Sequence, residues 1–443
     1  MKIFHYSLGF PPYRSGGLTK FSMDLMKAQV KAGNEVALLW PGVIKMFSHS
    51  IRIKQGKGMG GIKSYEIINP LPVSYDEGIK DFDLFVSDGD EDVFSRFLDE
   101  QKPDVIHVHT LMGLHKNLLV SAKKKEIRIV FTTHDFFPIC PKVTMFRQGD
   151  VCAEVGSCMK CGICNNTALS PKKLILLQSV LYRALKESSL VKSLRKKHRD
   201  DFLSGDEEDD TKSVADAERY KKLREHYYSM LRLMDVIHYN SNVTKSVYER
   251  FFELPDNIVL SITHADISDH RKNRAYASDV LRIRYLGAQS AAKGFYLLKE
   301  ALDMLWSEKK DFRLDIHFVP FEVSEYMRVH DRYDYKDLES IFDDTDVLIV
   351  PSLWYETFGY TALEALSYGV PVIISDRVGA KDILTDGAGI VIKEISSQMI
   401  IDTVKGLTSK KLKDMNDVIL GNQHIMTIEE MMDKISVNCY LES

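Results

Sequence analysis

The sequence predicts an α/β protein with two Rossmann-like, doubly wound domains that face each other across a cleft. Short apolar segments of strand length alternate with helix-length segments in both halves of the chain. The 443 residues are 44% hydrophobic, which is enough to bury more than one core. A polar stretch over residues 268–278 separates the two halves and is typical of an interdomain linker.

In the first half, strands that are followed by helices indicate βαβ units and therefore a parallel sheet covered on both faces. Leu18–Ala32 has the apolar spacing of a helix, and Gly33 follows it as a natural C-cap. The strands predicted here are Lys2–Tyr6, Glu35–Leu39, Val105–Val108, Ile127–Thr132 and Asp235–Asn240. We expect the first domain to span residues 1–268.

The second half repeats this pattern, and we expect a second domain over residues 279–425. Its predicted strands are Leu281–Gly287, Leu314–Phe318, Val347–Pro351 and Val370–Ser375. Residues 426–443 are expected to form a C-terminal helix that packs back on the first domain.

Residues 173–230 depart from the α/β pattern and are interpreted as a helical, charged insertion in the first domain. One helix is predicted from four apolar residues, and it continues into a basic cluster; the four are Leu174, Leu177, Leu181 and Leu185. The acidic run at residues 205–210 predicts a solvated loop, because like charges in a row resist packing. The basic stretch Lys192–Arg199 is either a solvated helix face or a peripheral contact with anionic lipid.

Charge and composition narrow the classes of partner and compartment. The formal net charge is −4, which gives no reason to expect a nucleic-acid partner. The first residues lack the features of a signal peptide, and no apolar run approaches the roughly 20 residues that span a bilayer. We therefore expect a cytoplasmic protein, with possible contact to the inner face of the membrane. Its six cysteines are then not expected to form a disulfide framework.

The most specific motif runs from residue 351 to residue 365, where an apolar strand ends at Pro351 and a helix starts near Gly359. Glu356 would lie at the mouth of the cleft, outside the carboxyl end of the strand, where open α/β sheets bind ligands. The helix N-terminus suits a diphosphate, while Glu356 and Glu364 can accept hydrogen bonds from sugar hydroxyls. The alternative is that Glu356 caps the helix and Glu364 lies on the surface.

The spacing Glu356-x7-Glu364, followed by residues 367–373, resembles the signature of family 4 glycosyltransferases of the GT-B fold. The resemblance implies a metal-independent transferase that retains anomeric configuration. It further implies that Glu356 contacts the donor sugar and that Glu364 contacts the nucleotide ribose. Backbone amides around Phe358 and Gly359 would contact the donor in the same scheme.

Two glycine-containing turns extend this resemblance. Gly16 and Gly17 lie between the first strand and the first helix, where glycines let the backbone approach a phosphate or an acceptor closely. We assign Gly16 to the acceptor side and Gly17 to donor binding. In the turn over residues 287–294, Lys293 matches the lysine that neutralises the diphosphate. The arginine that usually accompanies it would fall at Ala288 and is absent.

Histidines follow two neighbouring strands of the first domain. His107 and His109 point the same way along their strand, and His109 lies nearer its carboxyl end. We therefore expect His109 to face the cleft as a catalytic residue and His134 to lie nearby on the acceptor side. A satisfied structural role is the alternative for each histidine.

Four cysteines lie close together in residues 152–164, with Cys140 upstream of them. The predicted ligands of a structural zinc are Cys152, Cys158, Cys161 and Cys164. An iron–sulfur cluster uses similar spacings, and reduced thiols without metal are the remaining alternative.

Together these features predict a hexosyltransferase that uses a UDP- or GDP-sugar and a saccharide or lipid-linked acceptor, in cell-surface polysaccharide biosynthesis. Catalysis is expected to need no cofactor. Two alternatives stay open: a nucleotide-sugar epimerase of the same fold, and a non-catalytic binding protein that keeps the fold.

Overall fold

A computed structural model describes residues 1–11, 14, 16–45, 48–74, 78–147, 149–153, 156–185, 188 and 216–441. Two predominantly parallel sheets, each with helices packed against it, form two α/β domains. The predicted fold class is therefore confirmed.

The first sheet has eight strands in the order β10-β9-β6-β5-β1-β2-β4-β3, and β3 alone is antiparallel to its neighbour. These strands are β1 (Lys2–Tyr6), β2 (Glu35–Pro41), β3 (Arg52–Met59), β4 (Ile62–Ile68), β5 (Val105–Val108), β6 (Arg128–Thr133), β9 (Val236–Tyr239) and β10 (Asn257–Val259). A separate ribbon is made of β7 (Phe146–Arg147) and β8 (Asp150–Val151). The strand order reverses between β1 and β5, so their carboxyl ends frame the crevice where such sheets bind ligands.

Helices cover both faces of this sheet. They are α1 (Gly17–Lys31), α2 (Glu91–Gln101), α3 (Lys116–Lys124), α4 (Cys161–Cys164), α5 (Pro171–Leu177), α6 (Val180–Leu185), α7 (Ala217–Leu231) and α8 (Asn242–Glu249), with a 3-10 turn at Asp83–Phe85. Strands β1, β5 and β6 are buried along almost their whole length, as expected for parallel strands covered on both faces.

The second sheet has six parallel strands in the order β13-β12-β11-β14-β15-β16. They are β11 (Leu281–Tyr285), β12 (Phe312–Ile316), β13 (Met327–Val329), β14 (Val347–Val350), β15 (Val372–Ser375) and β16 (Gly389–Ile392). The helices are α9 (Phe295–Glu308), α10 (Leu338–Asp343), α11 (Tyr360–Ser367), α12 (Ser397–Lys405), α13 (Ser409–Asn422) and α14 (Ile428–Ile435), with 3-10 turns at Tyr335–Asp337 and Gly379–Ile383 and a π-helical turn at Ser436–Tyr440. This order is that of a doubly wound fold, and it reverses between β11 and β14.

Two expectations about local structure are wrong. The strand predicted at Leu314–Phe318 begins two residues earlier, at Phe312, because β12 pairs with β11 from Leu281 onward. The single helix predicted in the insertion is broken between α5 and α6. The side chain of Gln178 turns inward there and accepts a hydrogen bond of 2.8 Å from the Val73 amide. The basic stretch 192–199 and the acidic run 205–210 lie outside the described residues.

The C-terminal segment packs on the first domain, although it follows the second. Helix α14 and the π-helical turn bury Met431 and Ile435 completely, in one cluster with Phe21 and Leu25 of α1. The Tyr440 hydroxyl lies 2.7 Å from His107 Nδ1, inside the first domain. Within the described ranges, no helix combines the length and apolar character needed to cross a bilayer.

We predict that Met431→Ala lowers the free energy of unfolding by about 2–5 kcal/mol, because it leaves a cavity in the interface between α14 and α1. Urea unfolding of the full chain measures this. Met399→Ala is the matched control, because Met399 is 42% exposed and its change should stay within about 0.5 kcal/mol. Equal unfolding midpoints for Met431→Ala and the unmodified chain would contradict this packing.

Candidate functional site

A cavity of about 450 Å³ lies between the two domains, at the carboxyl ends of both sheets. The first domain lines it with Gly17, Leu18, His134, Asp135, Phe136, Val143 and Thr144. The second domain contributes the turn after β11 and the loop from Ser352 to the start of α11. In both sheets, the carboxyl ends of the strands at which the strand order reverses thus face one space, which we call the cleft cavity.

Hydrogen bonds between the domains hold one side of this cavity together. The Ser241 hydroxyl donates to the Thr357 carbonyl at 2.6 Å, and the Thr357 hydroxyl donates to the His134 carbonyl at 3.2 Å. The loop before α11 is therefore fixed against the strand end that carries His134.

Helix α11 directs its N-terminus at the cleft cavity. Gly359 is the N-cap, with φ of 100°, and a Cβ at this position would lie 2.8 Å from the Val378 side chain. Glycine fits both the left-handed backbone and the close approach. Phe358 and Gly359 line the cavity, as do Tyr360 and Thr361 in the first turn. The free amides and partial positive charge of this helix end favour an anionic ligand.

Lys293 and Glu356 meet inside the cleft cavity. Lys293 Nζ lies 2.5 Å from Glu356 Oε1, and the Ser352 hydroxyl donates to Glu356 Oε2 at 2.7 Å. Burial favours a raised pKa for Glu356, but the Lys293 charge and hydrogen bonds from Lys293, Ser352 and Trp354 outweigh it and lower that pKa. Glu356 is therefore a carboxylate at neutral pH and is paired with the cation that an incoming diphosphate would seek.

Backbone contacts position this pair. The amides of Leu353 and Trp354 both donate to the Ala292 carbonyl, at 2.9 Å and 3.2 Å. Gly294, with φ of 74°, packs so tightly that a Cβ would lie 1.9 Å from the Pro351 carbonyl oxygen. Any larger residue at position 294 would push Lys293 away from Glu356.

Among the described residues of the cavity lining, no other arginine takes the place of the one that is missing at position 288. Ala288 itself lines the cavity, and Lys293 is the one lysine or arginine among the described lining residues. Two arginines lie behind the loop instead: Arg250 donates to the Tyr355 hydroxyl at 3.2 Å, and Arg377 donates to the Leu353 carbonyl. Positive charge for an anionic ligand in the described part of this cavity therefore comes from Lys293 and the end of α11.

The expectation that His109 faces the cleft is wrong, and His134 takes that position. His109 is fully buried, and its amide donates to the Tyr6 carbonyl at 2.9 Å, so it remains inside the sheet. Its Nδ1 lies 3.2 Å from His134 Nε2, which places it directly behind His134. The Phe21 ring packs 4.9 Å from the His134 ring and covers the space above. Side-chain alternation along β5 could not show what covers its end.

The buried histidines form a continuous hydrogen-bonded network behind the cavity. Its consecutive members are His134, His109, His5, Gln29, Tyr440, His107, Thr132 and His238, with contacts between 2.6 and 3.2 Å. Burial lowers the pKa of His5 to about 4, and burial followed by His238 lowers that of His134 to about 3. These imidazoles are neutral at pH 7, when each can donate at one nitrogen and accept at the other. His107 and His109 thus lie inside this network, as the structural alternative for each histidine expects, and the catalytic role of His109 stays a prediction.

Asp135 is a lining residue that the sequence interpretation did not assign. Burial raises its pKa to about 6, against hydrogen bonds from the Phe137 amide and the Thr110 hydroxyl. Its position directly after a buried strand and His134 was the signal that could have identified it. A carboxyl group with this pKa can hold or release a proton near neutral pH.

Glu364 does not line the cleft cavity. Its side chain is 4% exposed and lies 3.2 Å from His264 Nε2, in the last residues of the first domain. The ribose contact expected for Glu364 therefore stays a prediction.

The two predicted glycines between β1 and α1 also differ in position. Gly17 lines the cavity, and a Cβ there would lie 3.4 Å from the Tyr360 ring. Gly16 caps α1 with φ of 117°, but it is exposed outside the cavity lining.

Three of the four predicted zinc ligands line one cavity, and the fourth does not. Cys152, Cys161 and Cys164 line a second cavity, whereas Cys158 is buried beside it and does not. Cys140 takes a place in that lining instead.

Comparisons with known proteins agree with this geometry. A protein-family model described as "Glycosyltransferase Family 4" matches residues 15–151, and one described as "Glycosyl transferases group 1" matches residues 321–420. The second match contains Glu356 and Glu364, and the first contains His134 and Asp135.

A curated relative from Klebsiella pneumoniae, an "uncharacterized 41.2 kDa protein in cps region", is 33% identical over 112 residues. That segment spans 24% of this chain and 31% of the relative. Two solved structures share the fold across nearly the whole chain. Sucrose-phosphate synthase from Thermosynechococcus elongatus has a TM-score of 0.56 at 13% identity, covering 98% of each chain. Anabaena HepE, in complex with UDP and glucose, has a TM-score of 0.53 at 11% identity, covering 99% of this chain and all of the other.

The two family matches contain lining residues from both domains, the turn with Lys293 lies between the matched ranges, and the solved structures cover both domains. The chain is therefore a GT-B glycosyltransferase, with a family 4 domain in its first half and a group 1 domain in its second.

Proposed function

We propose that this protein is a retaining, metal-independent hexosyltransferase that moves a sugar from a UDP- or GDP-sugar to a saccharide or lipid-linked acceptor. The observation that carries the proposal is the Lys293–Glu356 pair at the amide end of α11, inside the cavity between the domains. A location in the cytoplasm, where nucleotide sugars are made, and a place in cell-surface polysaccharide synthesis belong to the same proposal.

The donor diphosphate would lie between Lys293 and the N-terminus of α11. Both carry positive charge toward the bond that breaks, so they stabilise the charge that develops on the leaving nucleoside diphosphate. This is the role that a divalent cation plays in metal-dependent transferases. Once a phosphate engages Lys293, Glu356 can accept a hydrogen bond from a sugar hydroxyl and position the donor sugar.

The acceptor would enter from the first domain, near His134 and Asp135. Asp135, with a pKa of about 6, can receive a hydrogen bond from an acceptor hydroxyl at neutral pH. Closure of the two domains around both substrates would exclude water and limit hydrolysis of the donor. In a retaining reaction the acceptor hydroxyl attacks the face from which the diphosphate leaves.

The relatives support the choice of substrates. The Klebsiella relative is described as a protein of a cps region, which supports a role in cell-surface polysaccharide synthesis. The Anabaena structure contains UDP and glucose, which supports a uridine diphosphate and a hexose as the first ligands to test.

A non-catalytic binding protein is the second candidate, and it is favoured because Lys293 is the one lysine or arginine among the described residues of the cavity lining. Incubation of UDP-glucose with candidate acceptors separates the two. A transferase releases UDP in step with a glycosylated product, whereas a binding protein retains the donor unchanged. Appearance of an epimer without acceptor would instead identify an epimerase.

We predict that Lys293→Met lowers kcat about 10²–10³-fold, because it removes a charge that stabilises the leaving group. Glu356→Gln should lower kcat/KM about 10²-fold by misplacing the donor sugar. UDP release and product formation are the measurements. Lys405→Met and Glu308→Gln are matched controls, since these residues form an exposed ion pair remote from the cavity. Rates close to those of the controls for both site variants would refute these roles.

Ligand binding should separate the roles of the two glutamates. We predict that Glu364→Gln reduces the thermal stabilisation given by UDP and by UDP-glucose alike, because both carry the ribose. Glu356→Gln should reduce the stabilisation by UDP-glucose and leave that by UDP unchanged. Thermal-shift titrations measure both, because a ligand stabilises the folded state in proportion to its saturation. Equal effects of the two variants on UDP would contradict this division.

We predict that the free energy of unfolding depends on pH, because the pKa of Asp135 is raised in the folded protein. The pKa of an aspartate in an unfolded chain is roughly 3.9, and in the folded protein that of Asp135 is about 6. Between these values the folded protein holds a proton that the unfolded chain has released. The contribution of this group therefore falls as pH rises from 4 to 6, and above pH 6 it costs about 3 kcal/mol.

Asp135→Asn should remove this dependence, so that the variant is more stable than the unmodified chain at pH 7.5 but not at pH 4. Urea unfolding at a series of pH values measures the difference. A constant difference between the two proteins from pH 4 to pH 7.5 would show that the pKa of Asp135 is not raised.

A further inference from the structure

A second cavity, of about 350 Å³, lies in the loop region that follows β6 and is walled by cysteines. Cys140, Cys152, Cys161 and Cys164 line it, and all four are cysteines outside any disulfide. They come from three separate stretches: the turn after β6, the end of β8, and α4. The four thiols thus share one cavity, whereas thiols that only fill space pack against apolar neighbours.

We propose that Cys140, Cys152, Cys161 and Cys164 bind a thiophilic metal centre in this cavity, either a zinc ion or an iron–sulfur cluster. Both centres take four cysteine thiolates, so the two share one ligand chemistry. The proposal replaces Cys158 of the sequence-based set with Cys140. Its test does not rely on transferase activity, because the metal content of the protein is measured directly.

Backbone amides surround the sulfur of Cys140, which receives hydrogen bonds from the amides of Met145 and Lys142. Such amide donors would stabilise a thiolate ligand once a metal displaces the thiol proton. Cys158 is only 1% exposed and does not line the cavity, although its thiol is hydrogen-bonded to that of Cys161.

Positive charge and apolar packing complete the cavity. Arg224 lines it and brings a positive charge to the cysteine-walled cavity. Lys160 and Arg147 lie in the same lining, with Phe251 and Met145 as apolar neighbours. Four thiolates on a divalent ion leave a net negative charge, which such cations offset.

The spacing of the sulfurs bears on the kind of metal. A tetrahedral zinc site with zinc–sulfur bonds of about 2.3 Å holds its sulfurs roughly 3.8 Å apart. Among the described residues, the groups of ligand atoms that lie within 4.8 Å of one another include none of these sulfurs. Zinc would therefore draw the four thiols inward, whereas a cluster fills more of the cavity.

The metal centre would also hold one wall of the cleft cavity. Val143 and Thr144, which line the cleft cavity, lie between Cys140 and Cys152. Val143 and Met145 have φ of 70° and 53°, values that cost non-glycine residues free energy unless the surroundings impose them. Arg250 donates to the Cys152 carbonyl at 3.5 Å and to the Tyr355 hydroxyl, in the loop before α11, at 3.2 Å.

The full chain should be purified under anaerobic, reducing conditions without chelator, and its zinc, iron and acid-labile sulfide measured per chain. About one zinc, or about four irons with four sulfides, supports the proposal and identifies the centre. A chain that holds neither metal, and that takes up neither added zinc nor reconstituted iron and sulfide, overturns it.

Alkylation of the unmodified protein tests the ligands without any variant. Cys140, Cys152, Cys161 and Cys164 should resist alkylation in the metal-loaded chain and react after metal removal, as read by peptide mass mapping. Cys439 is the internal control, because it is fully buried away from this cavity and should stay protected until the chain unfolds. Reaction of Cys140 in the metal-loaded chain would remove it from the ligand set.

Variants then compare Cys140 with Cys158 directly. Cys140→Ser should lower the metal content at least about 10-fold, as loss of one ligand of four does. Cys158→Ser and the control Cys439→Ser should retain it. Loss of metal from Cys158→Ser with retention by Cys140→Ser would overturn this assignment in favour of the sequence-based set.

Discussion

The ion pair between Lys293 and Glu356 is the contact on which the site depends. The two residues lie 63 positions apart, and they meet because β11 and β14 are neighbours at the point where the strand order reverses. Each residue sits in the loop that leaves one of these strands. The contact between the two side chains therefore follows directly from the strand order of the second domain.

This arrangement also explains why the cavity suits a substrate with a negative charge and hydroxyl groups. Without a ligand, the Lys293 charge is balanced by Glu356, so neither ion is buried without a partner. A diphosphate would take over the lysine and release the carboxylate for a hydroxyl donor. The absence of an arginine at Ala288 makes this exchange depend on one cation and a helix end.

The first domain supports the site with a buried network of neutral histidine side chains. His134 reaches the cavity, and behind it a chain of neutral imidazoles extends to Tyr440 at the C-terminal end of the described chain. Because Tyr440 and Gln29 complete that network, the segment after the second domain is part of the first domain's core. The orientation of His134 thus depends on residues more than 300 positions away.

The sequence by itself determined the elements whose signals are local. Apolar runs located β1, β5, β11 and β14 with close to their observed bounds, and the glycines near positions 16, 294 and 359 marked the turns that approach a ligand. Strand ends in an α/β pattern then placed Glu356 at the cleft, and the resemblance to family 4 glycosyltransferases pointed to Lys293. Much of the fold and half of the candidate site were predictable for this reason.

Only the tertiary structure decided which side chains reach the cavity. It covered His109 with Phe21 and His134, placed His264 over Glu364, and brought Cys140 into the group from which Cys158 was displaced. Local periodicity states which side of a strand or helix a residue occupies, but what packs against that side comes from segments far along the chain. Exposure and partner therefore follow from long-range packing, which no short stretch of sequence contains.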